Sequence, residues 1–150
     1  MIFFTRELYL GYQANSGWER KASREWNRRA KIYADYAKVI EPMLPASVRR
    51  LCSQGLHDGI IREASLKNGE LKLIVDATKA LSRFRGRHVQ LRFLGVRGRP
   101  AVAKLIGQWW LYEEAHLCSH TRFCLQVLLT PDELEIEADE LVIKVMTKPA

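Results

Sequence analysis

Short runs in which apolar and polar residues alternate fill the second half of this chain, and they limit its fold more than any other feature. The clearest runs lie at residues 71–75, 89–93, 123–129 and 141–145. A period of two places successive side chains on opposite faces, so each run predicts a strand with one buried face and one exposed face. Because helical periodicity is almost absent between these runs, the second half is predicted to form a sheet.

The first third of the chain has the pattern of helices. Apolar residues at steps of three or four run through residues 18–40 and predict one long amphipathic helix, with Ser16 as its N-cap. Pro42 should end this helix, and a short second helix is predicted over residues 45–55. A second apolar stripe at residues 32–43 predicts that the C-terminal half of the long helix is covered on two sides.

Turn signals separate the predicted strands. Asn68 and Gly69 join two alternating runs and predict a β-hairpin with a type I′ turn. Residues 119–121 should turn a long strand back on itself, and the phase of the apolar residues slips at Asp139 and Glu140, which indicates a tight turn or a bulge.

These elements predict an α+β fold in a single domain, residues 1–150, with a helical part at 1–55 and a sheet at 56–148. The sheet should be an antiparallel meander of about six or seven strands, on which the two helices pack. The predicted helix–sheet core consists of Trp18, Trp26, Tyr33, Leu73, Val75, Leu91, Phe93, Leu125, Val127 and Ile143.

The composition is ordinary for a soluble globular protein, with 47% hydrophobic and 27% charged residues. No apolar run approaches the roughly 18 residues that a membrane-spanning helix needs, and the N-terminus lacks a signal-peptide core. We therefore expect a cytoplasmic protein with three reduced cysteines and no membrane partner. The net charge of +7 is uneven, because residues 59–110 carry +8 and residues 111–150 carry −5.

Four residues are candidates for catalysis. His57 and Asp58 are adjacent at a predicted helix–strand junction, and an oriented histidine can act as a general base. Glu113 and Glu114 follow an aromatic run, and on a strand they point to opposite faces, so only one of them can face a given site. The alternative is structural: His57 and Asp58 cap the junction, and the inward glutamate forms an ion pair with an arginine.

Four residues across a predicted hairpin have side chains that can bind zinc: His116, Cys118, His120 and Cys124. Their spacing does not match a known zinc module, so we expect them to be ordinary, partly buried hairpin residues. No cofactor is predicted, because the chain has no glycine-rich phosphate loop, nucleophile elbow or zinc-protease motif.

The strongest charge feature is a segment with six arginines and no acid. We assign a binding role to five of them, Arg83, Arg85, Arg87, Arg97 and Arg99. Arginines beside aromatic residues suit phosphate contacts and base stacking, whereas an acidic protein partner would be bound by charge alone. A third interpretation needs no partner, since the acidic segment at residues 132–140 of the same chain could neutralise these arginines.

Several short motifs resemble a family of bacterial proteins known only as domains of unknown function. They are FFTRELY at residues 3–9, LHD at 56–58, WLYEE at 110–114, and ELEI at 133–136 with LVI at 141–143. More loosely, the LHD junction before an antiparallel sheet is similar to small immunity proteins that neutralise bacterial toxins. The resemblance implies a bacterial, cytoplasmic, single-domain α+β protein and implies no activity.

The sequence therefore favours a non-enzymatic protein that binds a macromolecule, with a protein as the expected partner and an immunity-like role as one form of it. One alternative is a small hydrolase that uses His57, Asp58 and either Glu113 or Glu114. Another is a nucleic-acid-binding protein that uses the segment from Arg83 to Arg99. A homodimer formed through an open edge strand is a further hypothesis.

Overall fold

A computed structural model describes residues 1–13 and 19–146 of the chain. Its helices are α1 (Arg6–Gln13), α2 (Glu19–Ile40), α3 (Ala46–Gln54) and α4 (Val102–Leu105), with a 3-10 turn at Glu41–Met43 between α2 and α3. Its strands are β1 (Gly59–Lys67), β2 (Glu70–Asp76), β3 (His88–Leu94), β4 (Trp109–Ser119), β5 (Arg122–Thr130), β6 (Glu133–Ala138) and β7 (Glu140–Met146). The α+β prediction is confirmed.

The two expected helices are present, and two further short helices flank them. The long helix ends at Ile40, two residues before Pro42, and continues as the 3-10 turn, because proline has no amide hydrogen with which to extend the α-helical hydrogen bonds. Helix α3 follows Pro45 and ends where Gly55 takes a φ of 66°, a left-handed value that suits glycine. The predicted cap Ser16 and the core candidate Trp18 lie outside the described residues.

The seven strands form one antiparallel sheet in the order β6-β5-β4-β1-β2-β3-β7. Strands β1 to β3 form one meander and β4 to β6 form a second, and a short stretch of pairing between β1 and β4 joins them. The β1–β2 hairpin has the expected turn, since Asn68 and Gly69 have φ values of 50° and 75°, as a type I′ turn requires.

The sheet curls so that β6, at one end of the strand order, approaches β3, which is next to β7 at the other end. Only Asp139 separates β6 from β7, although these strands lie at opposite ends of the strand order. The Asp139 amide donates to the Leu94 carbonyl, and the Arg97 amide donates to the Glu137 carbonyl, so β3 and β6 approach each other. The phase slip at Asp139 and Glu140 is thus the corner at which the chain crosses between the two meanders.

The main core lies inside the curled sheet, not between the sheet and α2 alone. Six of the predicted core residues are fully buried there, namely Leu73, Val75, Leu91, Phe93, Leu125 and Val127, and Ile143 packs against them partly buried. Trp26 and Tyr33 are instead half-buried in an aromatic cluster between α2 and the outer face of β4. These two residues thus lie between helix and sheet as predicted, but the expected single core is divided into this cluster and the main core inside the sheet.

Helix α2 is also less covered than its two apolar stripes predict. Ile32, Val39 and Met43 on the second stripe are 43%, 69% and 56% exposed. The expectation that both sides are covered was wrong at these three positions, although Tyr36 on the same stripe is partly buried and packs against the core. None of the described helices is long and apolar enough to cross a membrane.

Candidate functional site

A bulge near Leu111 decides where the side chains of β4 point. The pairing of β4 with β5 steps from Trp110–Leu129 to Tyr112–Leu128, so the alternation shifts by one residue at this point. As a result Trp110 lies on the side of Glu113: its indole Nε1 donates to Glu113 Oε2 over 2.7 Å. Simple alternation through the sequence would have put Trp110 with Glu114 instead.

Glu113 lies on the inner side of β4, next to α3. The pairs Glu113–Val127 and Ala115–Leu125 place it on the face that the core covers. Burial raises the pKa of Glu113 to about 7, against the opposing effect of the Trp110 hydrogen bond, so both the protonated and the ionised carboxyl are populated near neutral pH. The arginine partner that we expected for an inward glutamate is absent among the hydrogen bonds and ion pairs described for Glu113.

Two buried groups near Glu113 were missed by the sequence reasoning. Burial, with Glu113 as a second cause, raises the pKa of the Cys52 thiol on α3 to about 12. Burial likewise raises the pKa of Tyr33, whose hydroxyl oxygen accepts a hydrogen bond from the Ala115 amide over 2.8 Å. No sequence motif marks these residues, since only the packing of α2 and α3 against the edge of β4 brings them together.

Glu114 points to the outer face and holds the N-terminal segment. Its carboxylate accepts hydrogen bonds from the amides of Ile2, Phe3 and Phe4 and from His116 Nε2. Burial alone would raise the pKa of Glu114, but these hydrogen bonds, that from His116 foremost, outweigh burial and lower it. Glu114 therefore has the properties of a buried structural anion.

An aromatic cluster surrounds this anion between α1, α2 and the outer face of β4. Phe4 lies 4.9 Å from Trp26 and 5.8 Å from Tyr112 between ring centroids, and Tyr36 lies 5.5 Å from the His116 ring. Such contacts add to the burial of the rings and fix the N-terminal segment on the sheet. They leave little room for a substrate beside Glu114.

His57 and Asp58 lie where the sequence predicted, between α3 and β1. The Leu111 carbonyl can only accept, so His57 Nδ1 must donate to it, and the ring packs 4.9 Å from Tyr112. Asp58 Oδ1 lies 3.7 Å from His57 Nε2, the nitrogen that would face a substrate. No described hydrogen bond or ion pair joins His57 or Asp58 to Glu113 or Glu114.

The four metal-ligand candidates do not converge on one point, although the Cys118 and Cys124 thiols lie within hydrogen-bonding distance of each other across the hairpin. Both ring nitrogens of His116 are engaged, Nε2 by Glu114 and Nδ1 by the Tyr36 hydroxyl at 3.3 Å. Cys118 and His120 are exposed, whereas Cys124 is buried. Within residues 1–13 and 19–146, no group of three or more histidine, cysteine or acidic side chains is arranged to hold a metal ion.

The basic segment is divided in two by β3. Arg83, Arg85 and Arg87 lie in the loop before β3, and Arg97 and Arg99 lie in the loop after it. A strand of seven residues spans roughly 23 Å at about 3.3 Å per residue, so the two groups lie at opposite ends of the sheet. The two groups therefore form separate basic patches.

The loop before β3, residues 77–87, is held firmly by its own backbone and by one buried ring. Phe84 is only 2% exposed and lies beneath the Arg50 guanidinium, 5.7 Å from its ring centroid. The Arg83 amide donates to the Gln54 carbonyl, and the Ala77 amide donates to the Arg87 carbonyl. The side chains of Arg83, Arg85 and Arg87 extend from this rigid loop into solvent.

The acidic strand neutralises the arginines only in part. Arg97 approaches Glu137 at 3.9 Å, and Arg92 pairs with Glu70 of β2 at 2.6 Å. Arg83, Arg85 and Arg87 have no ion pair with any residue that the structure describes. Three acidic side chains of β6 and of the corner after it, Glu133, Glu137 and Asp139, are instead engaged by Arg97, Arg122 and the N-terminal amine.

Comparison with family models gives one match. Residues 10–137 match the model of a family described as a protein of unknown function, DUF4085. The chain belongs to this family. No curated protein and no solved structure matches it. The family carries no assigned activity, so the function must be argued from the sites themselves.

Proposed function

We propose that this chain is a non-enzymatic binding protein that recognises an acidic surface of another protein through the loop at residues 77–87. The observation that carries the proposal is the unpaired charge of Arg83, Arg85 and Arg87 on a loop of fixed shape. Three exposed cations without an internal partner raise the local positive potential, which attracts and orients an acidic partner. Because the loop is already ordered, binding costs little further conformational entropy.

A protein partner fits this loop better than a single-stranded nucleic acid. Base stacking needs an exposed aromatic ring, and the one aromatic ring of the loop, Phe84, is buried beneath Arg50. The guanidinium groups remain available, and each can bind a carboxylate through two parallel hydrogen bonds. Phosphate contacts with a nucleic-acid backbone are the competing use of the same side chains.

The proposal extends to the setting of the protein. The three cysteines are free thiols, which suits a reducing compartment, and the resemblance described above is to bacterial proteins. We therefore place the protein in the bacterial cytoplasm. An immunity-like role, in which the loop covers the acidic surface of a toxin, is the specific form of this proposal.

The test is a binding titration with two labelled probes, a peptide of twelve alternating glutamate and serine residues and a 12-mer single-stranded DNA. Fluorescence anisotropy should show tighter binding of the peptide, with an affinity that falls as salt is added. Reversal of Arg85 and Arg87 to glutamate should abolish peptide binding, and reversal of Arg97 and Arg99 is the control with the same change in net charge. Tighter DNA binding, or loss of peptide binding in the control alone, would overturn the proposal.

A second candidate is a small hydrolase, and one observation favours it: the pKa of Glu113 lies at about 7, as a general acid or base requires. This enzyme would use Glu113 with His57 and Asp58. Its test is a screen with nitrophenyl ester and phosphate substrates, in which Glu113→Gln and His57→Ala should each remove any hydrolysis found. Activity that survives both substitutions would exclude this site.

A further inference from the structure

A small cavity lies between α2 and α3, with the edge of β4 as its floor. Its volume is about 240 Å³. Buried apolar side chains form much of its wall, among them Ile40, Leu44 and Ala115. Ala34 and Ala37 on α2 contribute only methyl groups, and their small size leaves the space open.

The polar groups at the base of this cavity are uncharged or already satisfied. The Tyr33 hydroxyl accepts the Ala115 amide hydrogen bond, and the Cys52 thiol is protonated because burial raises its pKa to about 12. A thiol in this state is a poor nucleophile and behaves as a small hydrophobic group. The interior therefore favours an aliphatic chain over a polar ligand.

The rim of the cavity carries charge. Arg49 and Lys38 lie on it, with Glu41 as the one acid. Lys38 pairs with Asp35 at 3.3 Å, whereas Arg49 is exposed and has no ion pair with a described residue. A guanidinium without a partner at the mouth of an apolar cavity suits a carboxylate head group, which it can bind through two hydrogen bonds.

We propose that the cavity between α2 and α3 binds an aliphatic carboxylate, with the chain against Ile40, Leu44 and Ala115 and the head group at Arg49. A methylene group takes up about as much space as a water molecule, about 30 Å³, so the cavity holds roughly eight carbons. The site is separate from the basic loop, and its occupancy does not depend on the proposed function.

The test is isothermal titration of the full chain with octanoate, hexanoate and octylammonium. Octanoate should bind at one site per chain. Hexanoate should bind about 15-fold more weakly, because each buried methylene contributes about fourfold to the affinity. Octylammonium, which has the same chain and the opposite charge, should bind at least about tenfold more weakly than octanoate. Equal binding of octanoate and octylammonium would refute the role of Arg49, and no saturable binding of octanoate would refute the site.

Substitutions locate the ligand. Arg49→Glu should weaken octanoate binding at least about tenfold, whereas Lys31→Glu, an equal change of charge on an exposed residue outside the cavity, should leave it unchanged. Ala37→Phe should fill the cavity and abolish binding. If Ala37→Phe fails to fold, Ala34→Phe, at an exposed position on the same wall, should fill the cavity and abolish octanoate binding instead. Binding that persists in a folded phenylalanine variant would place octanoate elsewhere and overturn the proposal.

Discussion

Glu113 provides the sharpest test of the buried side of β4, because its substitution by glutamine removes the charge and keeps the shape. The pKa of this carboxyl rises from 4.5 to about 7 on folding. The folded state therefore holds a proton that the unfolded state releases between these two values, so stability falls as the pH rises through this window. A difference of about 2.5 pKa units corresponds to about 3 kcal/mol of unfolding free energy.

Glutamine does not titrate, and its side-chain oxygen can still accept the Trp110 indole hydrogen bond. The free energy of unfolding of Glu113→Gln minus that of the wild type should therefore rise by about 3 kcal/mol between pH 4.5 and pH 8. Urea unfolding followed by tryptophan fluorescence at pH 4.5, 6 and 8 gives this difference directly. A difference that stays constant with pH would show that Glu113 is solvated in solution, and the argument from burial would fail.

Two further predictions concern the N-terminal segment and the basic loop. Glu114→Gln should lower the free energy of unfolding by about 2 kcal/mol at pH 7, because three backbone amides lose a charged acceptor. Hydrogen exchange at the amides of Phe3 and Phe4 should accelerate, and unchanged exchange would contradict this prediction. The Glu114 contribution is present above the unfolded pKa and is lost as the pH falls through the lowered folded value. Phe84→Ala should lower the free energy of unfolding, measured in urea, by about 3–5 kcal/mol. The exposed control Arg85→Ala should change it by no more than about 0.5 kcal/mol. Similar losses for both variants would show that Phe84 does not anchor the loop.

Strands β2, β3 and β6 were the most predictable, because each of them buries one face and a period of two records that burial directly. The type I′ turn at Asn68 and Gly69 was predictable for a local reason, namely that few residues tolerate a positive φ. The pairing of β1 with β4 was not predictable, since alternation gives the face of a strand and not its neighbour. Helix α1 was also missed, although Thr5 accepts from the Leu8 amide as an N-cap does.

In the candidate site, too, the sequence pattern did not predict which side chains come together. One extra residue at the bulge near Leu111 moves Trp110 to the side of Glu113, and no sequence pattern marks the bulge. The arginine-rich segment was found from composition, but its division into two groups depends on the length of β3 between them. Cys52 and Tyr33 meet only because two helices pack against one strand edge, which a single sequence does not specify.

The central claim is that the loop at residues 77–87 is the surface that contacts an acidic partner, and mapping the bound acidic peptide by NMR tests it most directly. Titration of the glutamate-serine peptide into the isotope-labelled chain should shift the backbone amides of Arg83, Arg85 and Arg87 and the side chain of Arg50. The amides of Arg97 and Arg99, roughly 23 Å away across β3, should not move. Shifts confined to Arg97 and Arg99, or no shift in the loop at saturating peptide, would contradict the account.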